Sequence, residues 1–304
     1  MTTTIAPIED RRGLGIAILL AAQIFFTTLD TSAKFLAVAG LPTTQIVFVR
    51  YGVHVVLALA LFLPVNGLAL FKTKAWRLEL VRGLSLLGVT FANFFAMQFL
   101  PLTVTGALMF TMPFMVTVLS VPMLGEKIGW RRLIAIAVGF VGVLIIIRPG
   151  TEAFHPAALI ALGGAVCAAL YTIFTRKLAG VDAPATQQVF SGLIALTCVT
   201  PFAFDGWVWP SDGPTWFAFC LAGIVGMIAH QMNTIALRYA PPSLLAPFSY
   251  TELILLAVAS WLIFQQPPDI WFYVGTPIII GSGLYIWLRE RRLGRRPSVE
   301  PVAD

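Results

Sequence analysis

The sequence predicts an all-α membrane protein of ten transmembrane helices, arranged as two inverted five-helix repeats. Three observations lead there: apolar runs fill the chain, cations sort to alternate ends of those runs, and the second half repeats the first. Of 304 residues, 58% are hydrophobic and 11% charged, against roughly 45–50% and about 25% in soluble domains. That composition cannot furnish a water-facing surface, which excludes a soluble catalytic or binding domain.

A hydrocarbon layer about 30 Å thick is crossed by roughly 20 apolar residues in helix. Ten runs meet that need: 14–36, 43–65, 79–99, 102–121, 130–148, 156–178, 184–204, 215–238, 243–264 and 270–289. Turn and interface residues separate them, among them Leu41-Pro42, Asn66-Gly67, Pro101, Gly125-Glu126-Lys127, Arg148-Pro149-Gly150, Ala183-Pro184, Pro241-Pro242 and Gln266-Pro267-Pro268-Asp269. Connections this short make consecutive spans antiparallel. The chain divides into a tail at 1–12, a first unit at 13–149, a second at 155–289, and a basic tail at 290–304.

A net charge of +6 would suggest nucleic acid for a soluble protein, but here the cations report topology. With the N-terminus inside, Arg11, Arg12, Lys72, Lys74, Arg77, Lys127, Arg131, Arg132, Arg176, Lys177, Arg238, Arg289, Arg291, Arg292, Arg295 and Arg296 all fall on the cytoplasmic side. Lys34 and Arg148 are left outside, and Arg50 and Arg82 lie within spans. Both termini are therefore expected in the cytoplasm of a bacterial cell, with the protein in its inner membrane and no nucleic-acid partner. Arg11-Arg12, the apolar run and Ala37-Val38-Ala39 mimic a signal peptide. The run is too long for one, Asp30 and Lys34 interrupt it, and it has a partner in the repeat. Cys167, Cys198 and Cys220 lie in apolar spans without metal-ligand spacing, so neither a metal site, a disulfide framework nor a cofactor is expected.

Shifting the chain by 142 residues lays Pro42-Thr43-Thr44-Gln45-Ile46-Val47-Phe48 on Pro184-Ala185-Thr186-Gln187-Gln188-Val189-Phe190, and a shift of 141 pairs Trp130 with Trp271, Gly142 with Gly283 and Arg148 with Arg289. Near-constant offsets mark a duplicated unit. Five spans per unit, an odd number, turn the second copy over, and inverted repeats commonly build carriers with a site near the midplane.

Asp30-Thr31-Ser32-Ala33-Lys34, Pro122-Met123-Leu124-Gly125-Glu126 and Pro247-Phe248-Ser249-Tyr250-Thr251-Glu252-Leu253, taken with the duplication, resemble the drug/metabolite transporter superfamily, specifically its ten-helix EamA-type carriers, over essentially the whole chain. Gln265-Gln266 departs from the pattern where the second copy of the Gly-Glu pair would stand. The resemblance implies a central cavity lined by spans 1–4 and 6–9, with spans 5 and 10 packing the halves together. Gly139, Gly142, Gly281 and Gly283 would allow that close approach.

Ionisable groups in hydrocarbon cost about 2.5–3.5 kcal/mol at a helix centre, so each needs a reason. Gln23, Thr27, Asp30 and Lys34 share one face of span 1, as cavity lining or as hydrogen-bonding partners of neighbouring helices. Arg50 and His54 share a face of span 2. Counted at about 1.5 Å per residue, Asp30 and Arg50 lie at equal depth. They are expected as an ion pair locking spans 1 and 2, or with one member recognising substrate. His230, Gln231 and Asn233 in span 8 face Tyr250 and Glu252 in span 9, and Glu252 sits near mid-bilayer. It is read as a proton-linked carboxylate, or as a packing carboxylate neutralised by His230 or a neighbouring amide. Its counterpart in the first half is Met112, and that of His230 is Thr90. Phe95, with Phe91, Phe94 and Phe99, and Tyr171 with Phe174 are cavity candidates, lipid-facing packing being the alternative.

The resemblance implies a secondary carrier that exports or exchanges a small organic metabolite by alternating access, amino acids including aromatic ones being the first expectation. The alternative is uptake of a nucleoside-like or vitamin-like solute such as S-adenosylmethionine or riboflavin. A membrane-embedded enzyme is disfavoured because no HExxH pair, Gly-x-Ser-x-Gly elbow or paired carboxylates on one helical face occur. An ion channel would need repeated carbonyl or charged rings. The expected partners are a small-molecule substrate, the lipid bilayer and protons as coupling ion. Topology is directly testable: cysteines at Gly213 or Pro268 should react with an impermeant thiol reagent from outside, and one at Ser298 only after the inner face is exposed. Outside labelling at Ser298 would break the inverted-repeat argument.

Overall fold

A computed structural model describes residues 12–124, 129–178, 181–240, 245 and 248–292. The breaks at 125–128 and 241–244, Pro247 and both tails lie outside these residues. The helices are α1 (Arg12–Val38), α2 (Thr43–Asn66), α3 (Trp76–Met97), α4 (Leu102–Met109), α5 (Met112–Leu124), α6 (Trp130–Ile147), α7 (Ala157–Leu178), α8 (Pro184–Ala203), α9 (Gly213–Tyr239), α10 (Thr251–Phe264) and α11 (Ile270–Arg292). A 3-10 turn, Gly67–Phe71, follows α2.

Their ends follow from local chemistry. Pro42 and Pro101 stand in extended conformation immediately before α2 and α4, where a missing N–H costs nothing. Asp212 caps α9 by accepting from the Thr215 N–H at 2.7 Å. That bond holds its carboxyl below the usual carboxylate value. Gln265 closes α10 in the left-handed region at φ 54°, a conformation that favours glycine. The first copy has Gly125 at the matching place, so the departure noted in the sequence falls on a backbone position where glycine is the relaxed choice.

Eight stretches are long and apolar enough to cross a membrane. Two of the ten expected spans fall short for different reasons. The seventh, α8, carries Gln187, Gln188 and Ser191, all buried, so its polarity is spent against protein. The ninth contains only the 14-residue α10 as a continuous helix, because Tyr250 is a turn residue following helical Phe248 and Ser249. The fourth span, expected as one run, is also two pieces: α4 ends at Met109 and α5 begins at Met112. The two interruptions lie 139 to 140 residues apart, the repeat offset, and Phe110 and Tyr250 bring their rings together with centroids 5.2 Å apart.

Consecutive helices scarcely touch; the main packing joins helices from different halves. α1 lies along α9, α3 along α7, α2 along α8 and α6 along α11. Exchanging the halves maps the first pair onto the second and each of the others onto itself. One core gathers Leu36, Val47, Tyr51, Leu86, Met97 and Phe219. A second gathers Phe114, Val143, Ile146, Leu253 and Ile279.

In a bilayer helices gain little from apolar burial, so close packing of small residues joins them. α6 and α11 meet backbone to backbone: a Cβ on Gly142 would stand 2.8 Å from the Gly275 carbonyl oxygen. Phe114 packs onto Gly139, and the Tyr250 hydroxyl occupies the space beside Gly283. Gly281 corrects the expectation, since nothing lies within 4 Å of its Cβ position; it faces outward. Gly142→Ala should therefore lower stability in detergent by about 1–3 kcal/mol, while Gly281→Ala leaves the unfolding temperature unchanged. Equal behaviour of the two variants would refute the backbone contact.

Candidate functional site

Polar side chains from α1, α2, α3, α9 and the start of α10 converge on one cavity of about 330 Å³. It holds two carboxylates, Asp30 and Glu252, two basic side chains, Arg50 and His230, and the amides of Gln23 and Asn93. Phe26, Phe94, Phe110, Tyr250 and Trp287 supply rings. Both helix interruptions open onto it through Phe110, Met112, Pro113 and Tyr250.

The expected Asp30–Arg50 ion pair is not formed among the described residues. Asn93 Nδ2 lies 3.4 Å from each Asp30 oxygen. Arg50 turns instead to α9, where Nη2 stands 3.1 Å from His230 Nε2. Its guanidinium carbon lies 4.4 Å from the Tyr51 ring centre. A guanidinium only donates, so His230 Nε2 accepts in this contact. His230 is therefore engaged with Arg50, and the expected His230–Glu252 meeting is corrected. Depth counting along a span says nothing of direction around each helix.

Glu252 lies in the first turn of α10, where the positive end of the helix dipole favours a carboxylate. That explains how an acidic side chain stands in the middle of a span. The other carboxylate of the cavity, Asp30, comes from the other half.

Of the remaining candidates, five lie outside the lining. Thr27 is buried on α1. His54 is buried with Nε2 3.3 Å from the Gln188 carbonyl oxygen. Phe95 packs between Phe91 and Phe99, two exposed rings, so this stripe lies on the outside of the bundle. The Tyr171 hydroxyl accepts from Arg82, and Asn233 is half-buried elsewhere on α9. Lys34 donates to the carbonyls of Met97 and Leu100 at 2.5 and 2.9 Å, capping the end of α3 rather than serving the cavity. Asn93 is a polar lining residue that the sequence reading missed. As an amide inside an apolar span, one turn from Thr90, it carried a visible signal.

The EamA-like transporter family matches residues 13–148 and 155–288, the two halves of this architecture. The chain belongs to that family. It is 28% identical to a riboflavin transporter of Vibrio cholerae over 91% of this chain and 94% of the relative. An S-adenosylmethionine uptake transporter of Rickettsia felis is 26% identical over 91% and 94%. A pseudopaline exporter of Pseudomonas aeruginosa is 26% identical over 88% and 93%. Family and relatives are transporters rather than enzymes, and none of these three is an amino-acid exporter.

Beside the cavity, the EamA-like fold is tied across its halves by Arg82. Its guanidinium donates to Thr175 Oγ1 and Tyr171 OH of α7, each at 2.9 Å, and to the Gln187 carbonyl oxygen and Ser191 hydroxyl of α8. Glu79, fully buried one turn away, lies 3.7 Å from it, and neither carboxylate oxygen has a hydrogen-bond partner. Next to them Asp182 accepts from Thr73 Oγ1 and the Lys74 N–H. Removing one member of a buried pair strands the other charge. Arg82→Gln should thus cost about 3–5 kcal/mol of stability in detergent, and Arg82→Gln with Glu79→Gln should cost less than Arg82→Gln alone. Additive losses in that double-mutant cycle would show that the two side chains are not coupled.

Proposed function

We propose that this chain is a ten-span, inverted-repeat carrier of the bacterial inner membrane, with both termini in the cytoplasm, that takes up a flat heteroaromatic solute of the riboflavin or nucleoside class. The observation that carries this reading is the lining of the cavity. Gln23 and Asn93 are buried there, and their carbonyl oxygens have no hydrogen-bond partner. Such oxygens call for donors, and the N–H edge of a heteroaromatic ring supplies them while its faces meet Phe26, Phe94 and Phe110. About 330 Å³ lies within the ordinary range of small-molecule sites. The names of the riboflavin and S-adenosylmethionine relatives support the same solute class over amino acids. The eight clear spans, the two polar or interrupted ones and the cross-half packing support ten spans in two inverted units.

Protons are the proposed coupling ion, through Asp30 and Glu252. Two carboxylates facing one cavity repel when both are ionised, and a single proton relieves that repulsion. One carboxylate comes from each half, so relative movement of the halves would change their separation and with it the hold on the proton.

Purified protein in liposomes, offered labelled riboflavin, S-adenosylmethionine and a panel of amino acids, tests both parts. Saturable riboflavin or S-adenosylmethionine uptake that an interior-alkaline gradient raises is expected, with amino acids inert. Glu252→Gln should retain solute exchange across the membrane but lose at least tenfold of the gradient-driven accumulation. Amino-acid transport alone would overturn the solute class. Undiminished gradient-driven accumulation by Glu252→Gln at every pH would make the protein a facilitator.

A further inference from the structure

A second concavity lies on the outside of the bundle, between α6 and α11 and apart from the transport cavity. It has a volume of about 370 Å³ and is lined by Trp130, Arg131, Ile134, Val138, Gly281 and Tyr285, with Ala135 and Ser282 at its floor. The walls are apolar and exposed: Ile134 is 53% and Val138 47% accessible. Gly281 leaves an open slot where a side chain would stand. Trp130 and Arg131 begin α6, whereas Val138 lies about 10 Å farther along it. The groove therefore runs from a cationic, aromatic mouth at the membrane surface into hydrocarbon depth.

The internal repeat supplies a control for the charge at that mouth. At the opposite end of the same helix pair, Arg148 stands over Trp271 and is neutralised by Asp269 at 2.7 Å. The repeat mates of Arg148, Trp271 and Asp269 are Arg289, Trp130 and Ile128, so the acid is missing from the second set. Arg289 comes within 3.8 Å of the Cβ position of Gly129, and its buried Nη1 has no hydrogen-bond partner. Arg131 has its cation–π contact with Trp130, 5.2 Å from the ring, and no ion pair among the described residues. Among the described residues, one end of the α6–α11 pair carries its own counter-ion, whereas at the other end Arg131 lines the groove without one.

We propose that this groove is a binding site for an anionic phospholipid, its phosphate at Arg131 and one acyl chain lying along Ile134, Val138 and Gly281. A cationic mouth above an apolar slot between helices complements an acidic headgroup with its chain. On the topology proposed above the lipid belongs to the cytoplasmic leaflet; the binding itself does not depend on that orientation or on the identity of the transported solute.

Native mass spectrometry of the full chain, delipidated in detergent and titrated with phosphatidylglycerol or phosphatidylethanolamine, tests it. One phosphatidylglycerol should be retained at least fivefold better than phosphatidylethanolamine. Arg131→Gln should reduce that retention about fivefold. Gly281→Trp, which fills the slot from an outward-facing position, should abolish it at unchanged unfolding temperature. Arg77→Gln, an exposed site on the same side beside Trp76, serves as control and should retain lipid as the unaltered chain does. Equal retention of the two lipids, loss no greater in Arg131→Gln and Gly281→Trp than in Arg77→Gln, or a dimer mass without bound lipid would overturn the proposal.

Discussion

Hydrocarbon offers no partner to a free backbone N–H or C=O, so a helix can be interrupted at membrane depth only where protein covers the break. Everything at the centre of this molecule follows from having two such breaks at matching places. At the first, the Thr111 hydroxyl donates to the Leu108 carbonyl, and the Phe110 N–H to that of Gly106. Pro113 then begins the next piece with no N–H to satisfy. At the second, Tyr250 accepts from the Leu253 N–H. The rings of Phe110 and Tyr250 close on each other, and α4 crosses α10 where Gly106 lets Leu253 and Leu256 approach. A cavity lined by two helix starts is what remains once both breaks are buried against one another.

The same geometry explains why the halves cannot be separated into two domains. Each helix finds its principal partner in the other half, so neither half would hold a core alone. Polar ties at the two ends also cross that boundary. Gln45 exchanges two hydrogen bonds with the backbone of Val208 at one face, and Arg82 and Asp182 bind across at the other. α6 and α11 are joined separately, through the Gly142–Gly275 backbone contact.

Much of this was legible in the sequence. Composition placed the eight stretches that are long and apolar enough to cross a membrane, and the repeat offset matched helices that the structure pairs by exchange of halves. Gln23, Asp30, Arg50, His230, Tyr250 and Glu252 stood out because polar groups in hydrocarbon need a reason, and all six reach the cavity. The failures share a cause. Pairing Asp30 with Arg50, or His230 with Glu252, assumed that neighbours in sequence are neighbours in space, whereas α1 lies on α9 and scarcely touches α2. The break in the fourth span was hidden because residues 102–121 are evenly apolar. Pro113 marks it, but a proline fits the first turn of a helix as readily as a kink. Phe91, Phe95 and Phe99 formed a regular stripe, and regular spacing cannot tell a lipid-facing stripe from a lining one.

The repeat also shows how a symmetric scaffold came to hold an unsymmetric site. Asp30 and Glu252, which both line the cavity, have as repeat mates Thr172 and Met112, whose side chains stand with 3.7 Å between the Thr172 hydroxyl and the Met112 sulfur. Arg50 and His230 have Gly192 and Thr90 as theirs. The backbone thus brings both sets of positions together, while charge occupies only one set. Placing carboxylates at both would bury four like charges around one small volume, at a desolvation cost that no local partner offsets. Confining them to one side leaves the aromatic and amide surface free for a ligand that has no two-fold symmetry of its own. Packing keeps the duplication visible because it must serve both halves alike; the cavity is released from that constraint, and there charged residues of one copy face uncharged mates in the other.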